Sequence, residues 1–507
     1  MSTLLSALAA WKPFSALVVG DLMLDRLTFG DVDRLANDAP VPVLAVSHIE
    51  QRAGGAANVA LDLVAMRASV TAVGVVGDDA DGVALRQALT AAGVSDAAVV
   101  SDPGRPTTVK QSLIGLAQHR HAQKMFRLDF ESRRPLDPSV EDRLLAAFAK
   151  ALPAADVVCL EDYAKGVCTP RVCQEVIRLA AAAGKPVLVD PAAIADYSRY
   201  AGAAAITPNR DEAVRAAGQP ASQAPEHYGP LAQRLIDDLR LQAAVITLDK
   251  HGALLLERDG EARVVPTVAR HVYDVTGAGD MVLAALAAAR AQGLDWYDAV
   301  RFANAAAGLE VEQFGVVPIP LDHIHRDLLS RERANRGKLR STPELLVELA
   351  ALRAAPPSAN TPNARPAKAK VPSVVFANGC FDVLHAGHVS LLRRAAALGD
   401  FLVVAINDDA SVRKLKGPDR PVYPVEDRAA LLGELECVGA VVVFGEDTPE
   451  NLVRAVKPDV LVKGDQYNLD AIPGAKFVQS YGGRVELLSV VPGRSTTSTV
   501  AKIRAQN

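Results

Sequence analysis

Short apolar runs that end in a polar residue recur along the first part of the chain. They alternate with alanine-rich stretches whose apolar positions recur at helical spacing, such as RVCQEVIRLAAAAGK. Continuous apolar runs of this length are typical of parallel strands that are buried on both faces. The pattern therefore predicts an α/β fold with a doubly wound sheet. Its strands are expected at ALVVGD, VVCLED, PVLVDP, AAITPN and AAVITLD.

Polar residues at the ends of these strands indicate where a ligand would bind. In doubly wound sheets, ligands bind outside the carboxyl ends of the strands, so side chains placed there share one crevice. We expect five such side chains to point into that crevice: Asp21, Asp162, Asp190, Asn209 and Asp249.

Three segments of the first part depart from this alternation. These segments, APVPVLAVSHIEQ, PTTVKQSLIG and QKMFRLDF, are rich in β-forming residues and alternate between apolar and polar positions, and the first two contain prolines. Such segments are typical of exposed strands. We therefore expect a small separate sheet beside the main one.

The last part of the chain repeats the α/β alternation on a smaller scale. Strands are expected at VVFAN, FLVVAIN, AVVVFG, VLVKG and VELLSV, and Asn378, Asn407 and Lys463 occupy strand ends. Between the two parts, the segment RAAPPSANTPNARPAKAKVP has no apolar periodicity and reads as a flexible linker. We predict a first domain at 1–330, a helical connector and linker at 331–372, and a smaller Rossmann-like domain at 373–507.

Composition narrows the classes of function. With 507 residues the chain exceeds one core, and its net charge of −4 gives no basic field for nucleic acid. Its 5 cysteines are odd in number and form no C-x-x-C pair, which argues against a disulfide framework and a structural zinc site. No signal peptide or run of transmembrane length is recognisable. We expect a soluble cytoplasmic protein that binds neither nucleic acid nor membranes.

The stretch DVTGAGD places Gly277, Ala278 and Gly279 directly before Asp280 and a long apolar run. The run predicts a buried helix, whose N-terminus offers unpaired N–H groups and a partial positive charge to a phosphoryl group. Asp280 lies in its first turn, where a carboxylate could accept a proton from an attacking hydroxyl. Taken alone, the stretch favours an ordinary helix cap, with Thr276 or Asp280 capping a core helix.

Other motifs in the first part of the chain favour the phosphate site over the helix cap. With GGAANVA, TPNRDEA, TLDKHGALLL and FANAAAG, the DVTGAGD string resembles the ribokinase-like carbohydrate kinases over roughly residues 14–320. The resemblance implies that Asp280 is the base and that the amides of 277–280 form an anion hole. It also implies a β lid that pairs two subunits into a homodimer. The implied sugar-binding residues are Asp21, Asp25, Gly54, Gly55 and Asn58.

The same resemblance implies an ATP site. It places Mg²⁺ near Asn209 and Glu212, largely through water and the ATP phosphates, and places Asn304 at the adenine. The implied ATP-binding residues are Asn209, Arg210, Asp211, Glu212, Thr247, Asp249, Gly252 and Asn304.

A second phosphate site is indicated by NGCFDVLHAGHVSLL, where His385 and His388 stand at the start of a helix. Surface histidines and a metal pair are the alternatives, although Cys380 is the only further metal ligand nearby. Two rings beside small residues at a helix N-terminus suit a phosphate better, because both can donate to its oxygens. The string RSTTST near the chain's end, with Ser495, Thr496 and Thr497, is another candidate anion site.

These motifs resemble the nucleotidyltransferases related to glycerol-phosphate cytidylyltransferases, over about residues 374–503. Arg494 departs from the family's pattern. The resemblance implies that His385 and His388 stabilise the α-phosphate of the NTP and that Lys416 neutralises phosphate charge. The implied ATP-binding residues are Asn378, Gly379, Phe381, Lys416, Lys463, Gly464, Asp465, Ser495, Thr496 and Thr497.

The order of the two domains, with strings such as GDLMLDR, APVPV, DYAKG and LVKGDQY, resembles bifunctional heptose kinase–adenylyltransferases of lipopolysaccharide precursor synthesis. That implies ATP and heptose phosphates as substrates, with a separate phosphatase acting between the two steps. Lys165 and Arg127 are candidates for binding the 7-phosphate. One alternative is a kinase–transferase fusion that acts on another sugar or polyol and uses CTP. The others are a catalytically inactive regulatory protein and two unrelated enzymes fused by accident.

Overall fold

The computed structural model of the chain has two units, residues 11–324 and residues 325–507 with 1–10. It describes residues 4, 7–8, 10–116, 123–218, 222, 224–267, 272–313, 315–353, 372–465, 467–468 and 472–489. The predicted linker, apart from its ends, and the predicted anion site at Ser495, Thr496 and Thr497 lie outside the described residues.

The strands and helices of the first unit alternate as the apolar pattern predicts. In chain order the strands are β1 (Phe14–Gly20), β2 (Leu22–Leu35), β3 (Pro42–Gly55), β4 (Ala68–Gly77), β5 (Ser95–Asp102), β6 (Thr108–Leu116), β7 (Gln123–Phe130), β8 (Val157–Glu161), β9 (Val187–Asp190), β10 (Ala205–Ile206), β11 (Ala243–Thr247), β12 (Ala253–Glu257) and β13 (Arg263–Val265). The helices are α1 (Ala56–Ala65), α2 (Ala80–Ala91), α3 (Pro138–Ala151), α4 (Pro170–Ala182), α5 (Arg210–Ala217), α6 (Tyr228–Leu239), α7 (Ala278–Ala291), α8 (Trp296–Glu310) and α9 (Leu321–Arg336), which crosses the unit boundary.

The main sheet of this unit has the order β13-β12-β11-β10-β9-β8-β1-β4-β5. Its strands are parallel from β5 to β11, and β12 and β13 are antiparallel. Leu17, Val158, Val189 and Ile246 of four of these strands are buried in one hydrophobic core with α3, α4 and α6. The predicted doubly wound sheet is therefore confirmed, and its carboxyl edge carries the strand-end residues.

A separate sheet of order β3-β2-β6-β7 stands beside the main one, as the β-rich segments predict. β3 leads directly into α1 at Gly55, and β2 follows β1 after one residue. The small sheet, here called the lid, is therefore tied to the carboxyl edge of the main sheet at the points where β1 ends and α1 begins.

The second unit is a parallel sheet with helices between its strands. The strands are β14 (Leu339–Arg340), β15 (Val374–Gly379), β16 (Phe401–Asn407), β17 (Ala440–Phe444), β18 (Val460–Gly464) and β19 (Arg484–Leu488), in the order β14-β17-β16-β15-β18-β19. The helices are α10 (Thr342–Arg353), α11 (Ala386–Ala396), α12 (Asp409–Lys416), α13 (Val425–Gly433), α14 (Glu450–Val456) and α15 (Ala475–Ser480).

Part of the predicted connector belongs to this second sheet. β14 pairs in parallel with β17, and Leu345 and Leu349 of α10 are buried in the same core as Phe376 of β15. The two-residue strand was too short for its pattern to be read from the sequence. Among the described helices, none combines the length and the hydropathy needed to cross a bilayer.

Candidate active sites

Asp280 lies in the first turn of α7 and is 3% exposed. Gly277 caps the helix with a φ of 93°, a conformation that favours glycine. Two side chains hold the carboxylate: Asn58 Nδ2 donates to its Oδ2 at 3.0 Å, and Tyr163 Oη donates to its Oδ1 at 2.6 Å. The buried carboxylate is thus fixed at the N-terminus of a 14-residue helix.

A cavity of about 1050 Å³ opens onto this carboxylate. Its wall combines residues of α1, of the loop that follows β8, of the α7 N-terminus and of the lid. Among the predicted residues, it includes Asp25, Gly55, Asn58, Arg127, Gly277 and Asp280. The cavity therefore brings together the predicted base, one anion-hole glycine and most of the predicted sugar-binding residues.

Gly54 and Gly55 allow the end of β3 to lie close to β2 and to Asp21, which precedes it. A Cβ on Gly54 would lie 2.5 Å from Asp25 Oδ2, and one on Gly55, whose φ is 60°, would lie 2.6 Å from the Asp21 carbonyl oxygen. Any larger residue would push the strand away from these groups. The paired glycines thus shape the cavity wall rather than merely forming a turn.

The lid side of the cavity is positively charged around Asp25. Burial raises the pKa of Asp25, whereas the charges of Lys110, Arg127, Lys124 and Arg52 lower it. All four cations line the same cavity. This clustering suits a substrate that carries its own negative charge.

Asp21 follows the last residue of β1, as predicted, and is buried there. It is 1% exposed and is not among the residues lining the cavity in the described part of the chain. Its carboxylate accepts N–H bonds from Tyr163 at 2.9 Å, Lys165 at 3.0 Å and Val167 at 3.2 Å. Burial raises the pKa of Asp21 to about 6. Asp21 therefore anchors the loop that carries Tyr163.

The two candidates for the 7-phosphate are already paired. Lys165 forms an ion pair with Glu131, and Arg127 forms a two-pronged pair with Asp129, both bonds at 2.8 Å. Arg127 lines the cavity, and Lys165 does not stand among its described lining residues. The geometry therefore favours Arg127 of the two.

Behind Asp280 lie two carboxyl groups whose roles the sequence did not indicate. Carboxylate oxygens of Glu161, Asp190 and Asp280 all lie within 4.8 Å of one another. Glu161 Oε2 is buried and has no hydrogen-bond partner among the described residues. Burial and mutual repulsion raise the pKa of both Glu161 and Asp190. Oxygen donors grouped in this way fit Mg²⁺. Their positions as the last residues of β8 and β9 were the available signal.

The predicted Mg²⁺ residues Asn209 and Glu212 form a capping box. Asn209 Oδ1 accepts the Glu212 N–H at 3.0 Å, and Glu212 Oε2 accepts the Asn209 N–H at 2.8 Å. The charge of Glu212 raises the pKa of Asp190. The box thus lies close enough to act electrostatically on the carboxyl group behind the base.

The other predicted ATP residues of this unit fall into two groups. Arg210 pairs with Asp249 at 2.9 Å, beside the bridge that joins Thr247 to Asn209, and Asp211 is exposed in the first turn of α5.

In the second group, Asn304 Nδ2 donates to the Val265 carbonyl at 2.8 Å, and a Cβ on Gly252 would lie 2.2 Å from that same oxygen. Asn304 is 7% exposed, and its amide nitrogen binds the protein's own backbone.

Two further buried carboxyl groups lie beside α7. Glu310 is 1% exposed, and a Cβ on Gly277 would lie 2.7 Å from its Oε1. Burial, and then the charges of Asp280 and Asp274, raise the pKa of Glu310 to about 8, against a lowering hydrogen bond from the Val317 backbone. Asp62 is fully buried, and burial followed by the charges of Glu310 and Asp280 raises its pKa well above its ordinary value. Burial and the neighbouring carboxylates therefore favour the neutral form of Glu310 in the folded protein.

Glu310→Gln is expected to remove a pH-dependent loss of stability. Because folding raises the pKa of Glu310, its contribution to stability is full below about pH 4.5 and is lost as pH rises through about 8. Relative to the parent, the variant should gain on the order of 4 kcal/mol in the free energy of unfolding between pH 5 and pH 9. Calorimetry of the full chain at several pH values would measure this. The exposed Glu312→Gln is the control, and a pH-independent difference would contradict the expectation.

The second unit places its two histidines together. His385 caps α11, and its ring stacks on that of His388 with centroids 3.8 Å apart. Burial, and then the charges of His385 and Lys416, lower the pKa of His388 to about 4. His388 is therefore a neutral imidazole at pH 7, and Lys416 stands near enough to act on it.

Lys463 lies near the end of β18 in the same unit. Its Nζ donates to the Asn378 carbonyl at 3.3 Å, and burial lowers its pKa to about 8. Asn378 Oδ1 is buried and has no hydrogen-bond partner among the described residues. The predicted residue Gly379 ends β15 and Phe381 lies in the loop after it, while Gly464 ends β18 and Asp465 follows it. The structure thus places Lys416 near the histidine pair and Lys463 at the Asn378 carbonyl, and cations at these positions suit a polyphosphate.

Two internal ion pairs shape the loop that carries these histidines. Asp382 is fully buried, pairs with Arg420 and accepts the Val422 N–H at 2.5 Å. Arg428 is 1% exposed, forms an ion pair with Asp409 at 2.6 Å, and donates to the carbonyls of Cys380 at 2.7 Å and Asn407 at 2.9 Å. The sequence reasoning missed both arginines, because an arginine near a proline-rich turn is usually exposed.

Comparison with known proteins identifies a family for each part of the chain. The pfkB family carbohydrate kinase model matches residues 14–323, and the cytidylyltransferase-like model matches residues 376–495. The chain is 44% identical over 490 residues to the bifunctional protein HldE of Pseudomonas savastanoi pv. phaseolicola, with 97% of each chain covered. The chain belongs to the bifunctional protein HldE family. A second HldE relative, from Trichlorobacter lovleyi, is 41% identical over 487 residues, covering 96% of this chain and 95% of the relative.

Membership of the HldE family makes the chain a bifunctional enzyme, a carbohydrate kinase followed by a nucleotidyltransferase, and confirms both resemblances. Solved structures support the fold of the first unit. Ribokinase of Arabidopsis thaliana, complexed with ribose and ATP, has a TM-score of 0.50 at 20% identity, covering 62% of this chain and 99% of that one. The tetrameric inhibited form of phosphofructokinase-2 from Escherichia coli has a TM-score of 0.53 at 17% identity, covering 63% and 100%.

Proposed function

We propose that this HldE relative carries out two steps of ADP-heptose synthesis. The first unit phosphorylates D-glycero-D-manno-heptose 7-phosphate at C1 with ATP, and the second joins heptose 1-phosphate to AMP. The proposal rests on two sites in one chain. In the first unit, the Asp280 carboxylate at a helix N-terminus accepts two side-chain hydrogen bonds. In the second unit, His385 and His388 stack on each other, with Lys416 and Lys463 in the same unit. Its 41–44% identity to HldE proteins over nearly their whole length supports the pairing.

In the first step, Asp280 accepts the proton of the C1 hydroxyl as its oxygen bonds to the γ-phosphorus of ATP. The bond between that phosphorus and the β–γ bridging oxygen breaks, and ADP leaves. The N–H groups of Gly277, Ala278, Gly279 and Asp280 would stabilise the charge on the transferring group, because the helix N-terminus directs them toward it. The cations around Asp25 would bind the phosphate that the sugar already carries.

Mg²⁺ is the cofactor that this step implies. Glu161 and Asp190 would hold it behind the base, with Glu212 nearby, because they supply the buried oxygen donors that a hard cation prefers. When bound with ATP, Mg²⁺ neutralises phosphate charge.

In the second step, a phosphate oxygen of heptose 1-phosphate attacks the α-phosphorus of ATP, and pyrophosphate leaves. No side-chain nucleophile is required. His385 and His388 would donate to the α-phosphate oxygens, and Lys416 and Lys463 would neutralise the triphosphate. A separate phosphatase must remove the 7-phosphate between the steps, since the acceptor of the second step carries only the phosphate at C1.

We further propose a cytoplasmic homodimer paired through the lid. The lid exposes Val46, Ile49, Phe126 and Phe130, each more than half exposed. Large apolar side chains grouped on one small sheet are typical of a surface that another subunit covers.

Product analysis tests the proposal on the purified full-length protein. With ATP, Mg²⁺ and heptose 7-phosphate, mass spectrometry should find the 1,7-bisphosphate and no nucleotide sugar. Adding a sugar-bisphosphate phosphatase should then yield ADP-heptose and pyrophosphate. Omitting Mg²⁺ should stop the first reaction.

Two outcomes would contradict the proposal. Phosphorylation of another sugar or polyol in preference to heptose 7-phosphate would reassign the first unit. Nucleotide transfer from CTP in preference to ATP would reassign the second unit, and parallel reactions with each NTP and authentic heptose 1-phosphate would reveal it.

A further inference from the structure

Tyr163 is the residue through which the lid and the base of the first unit are in contact. Its hydroxyl donates to Asp280 Oδ1 at 2.6 Å, and Nζ of Lys110, on strand β6 of the lid, lies 4.6 Å from its ring centroid. Tyr163 and Lys110 both line the cavity. A single aromatic ring therefore stands between a lid cation and the carboxylate that receives the proton.

The backbone around Tyr163 is held in a costly conformation. Ala164 has a φ of 54°, in the left-handed region that non-glycine residues seldom adopt, at a cost of about 1–2 kcal/mol. Asp162 accepts the Ala164 N–H at 2.8 Å, and Asp21 accepts the N–H groups on either side of it. Strain kept in place by surrounding hydrogen bonds is found mainly at functional sites.

Two donors on opposite oxygens fix a carboxylate more fully than one. Asn58 binds Oδ2 of Asp280 and Tyr163 binds Oδ1, so rotation about the Cβ–Cγ bond would break one bond or the other. Each carboxylate oxygen still keeps a second lone pair. The plane of the carboxylate is thereby fixed while a lone pair remains for the acceptor hydroxyl.

We propose that Tyr163 is a positioning residue of the phosphorylation step, which holds the Asp280 carboxylate in the orientation that receives the sugar proton. The inference rests on the proposed role of Asp280 as base. Tyr163 acts through Asp280 and takes no part in bond making. Loss of its hydroxyl would leave the carboxylate anchored by Asn58 alone, free to rotate away from the acceptor.

Tyr163→Phe tests the proposal, because it removes the hydroxyl and keeps the ring beneath Lys110. We expect kcat for sugar phosphorylation to fall about 10- to 100-fold, as for a misplaced reacting group, with KM for ATP unchanged. Adenylyl transfer by the same protein should be unaltered. A kcat within twofold of the parent, or a fall matched by an equal rise in KM for ATP, would overturn the proposal.

Tyr200→Phe is a matched control. Tyr200 is fully buried and donates to Asp162 Oδ2 at 2.6 Å, so the variant loses an equally short bond to a carboxylate in the same loop. If Tyr200→Phe lowers kcat as much as Tyr163→Phe, the effect belongs to the loop and the proposal fails.

A double-mutant cycle with Asn58→Ala gives a second, independent measurement. Two anchors of one carboxylate should be coupled, so the fold-losses of the single variants should not multiply in the double variant. Simple multiplication would contradict the proposal. An Asp280→Asn variant that keeps full kinase activity would instead contradict the proposed base, which separates the two failures.

Discussion

Asp280→Asn is expected to lower kcat for sugar phosphorylation by about 10²- to 10⁴-fold, because an amide cannot accept the hydroxyl proton. The substitution preserves size, and the amide retains one oxygen for Tyr163 or Asn58. Burial raises the pKa of Asp280, whereas its bonds from Tyr163 and Asn58 lower it. A coupled assay of ADP release at saturating ATP and sugar phosphate measures the loss.

The second activity of the same polypeptide is the first control for this variant. Adenylyl transfer from ATP to heptose 1-phosphate should persist, because its histidines and lysines lie in the other unit. Asp62→Asn is a matched control, since it makes the same chemical change in a fully buried carboxyl group of α1 that the mechanism does not use. A comparable loss in Asp62→Asn would show that Asp280 acts through stability rather than as the base.

His388→Ala is expected to have the reverse effect, lowering adenylyl transfer by about 10²- to 10³-fold while sugar phosphorylation stays at the parent level. The substitution removes the proposed donor to the α-phosphate and also the ring on which His385 stacks. Release of pyrophosphate with heptose 1-phosphate as the acceptor measures the effect.

His388→Gln distinguishes the lost donor from lost packing. Its side-chain amide keeps an N–H group near the same place, so part of the activity should return. Loss of both activities in a folded His388→Ala protein would contradict the model of two separate sites. Equal rates for the Ala and Gln variants would contradict the role of the donor.

The sheets could be predicted because their signal is local. The strands predicted in the two larger sheets are short apolar runs, and the predicted lid strands alternate between apolar and polar residues, so the sequence itself indicates burial on two faces or on one. The helix after Gly277 could be predicted for the same reason. These patterns need no knowledge of what lies elsewhere in the chain.

The partners of Asp280 could not be predicted because they are distant in sequence. Asn58 is separated from it by 222 residues and Tyr163 by 117. They meet because β1 lies between β4 and β8, an order that apolar periodicity does not specify. The same reason applies to Asp21. Its position at a strand end could be predicted, but its hydrogen bonds to the loop could not, because the backbone N–H groups it binds are more than 140 positions away.

The segment at 354–371 separates two elements of one unit, because α10 ends at Arg353 and β15 begins at Val374 in the second sheet. It therefore closes a loop within the transferase. The entropy of closing a loop grows only with the logarithm of its length, by about 0.6 kcal/mol for each doubling. Relatives can thus lengthen or shorten this segment at little cost to the transferase, and without changing the stretch of chain that joins the two enzymes through α9.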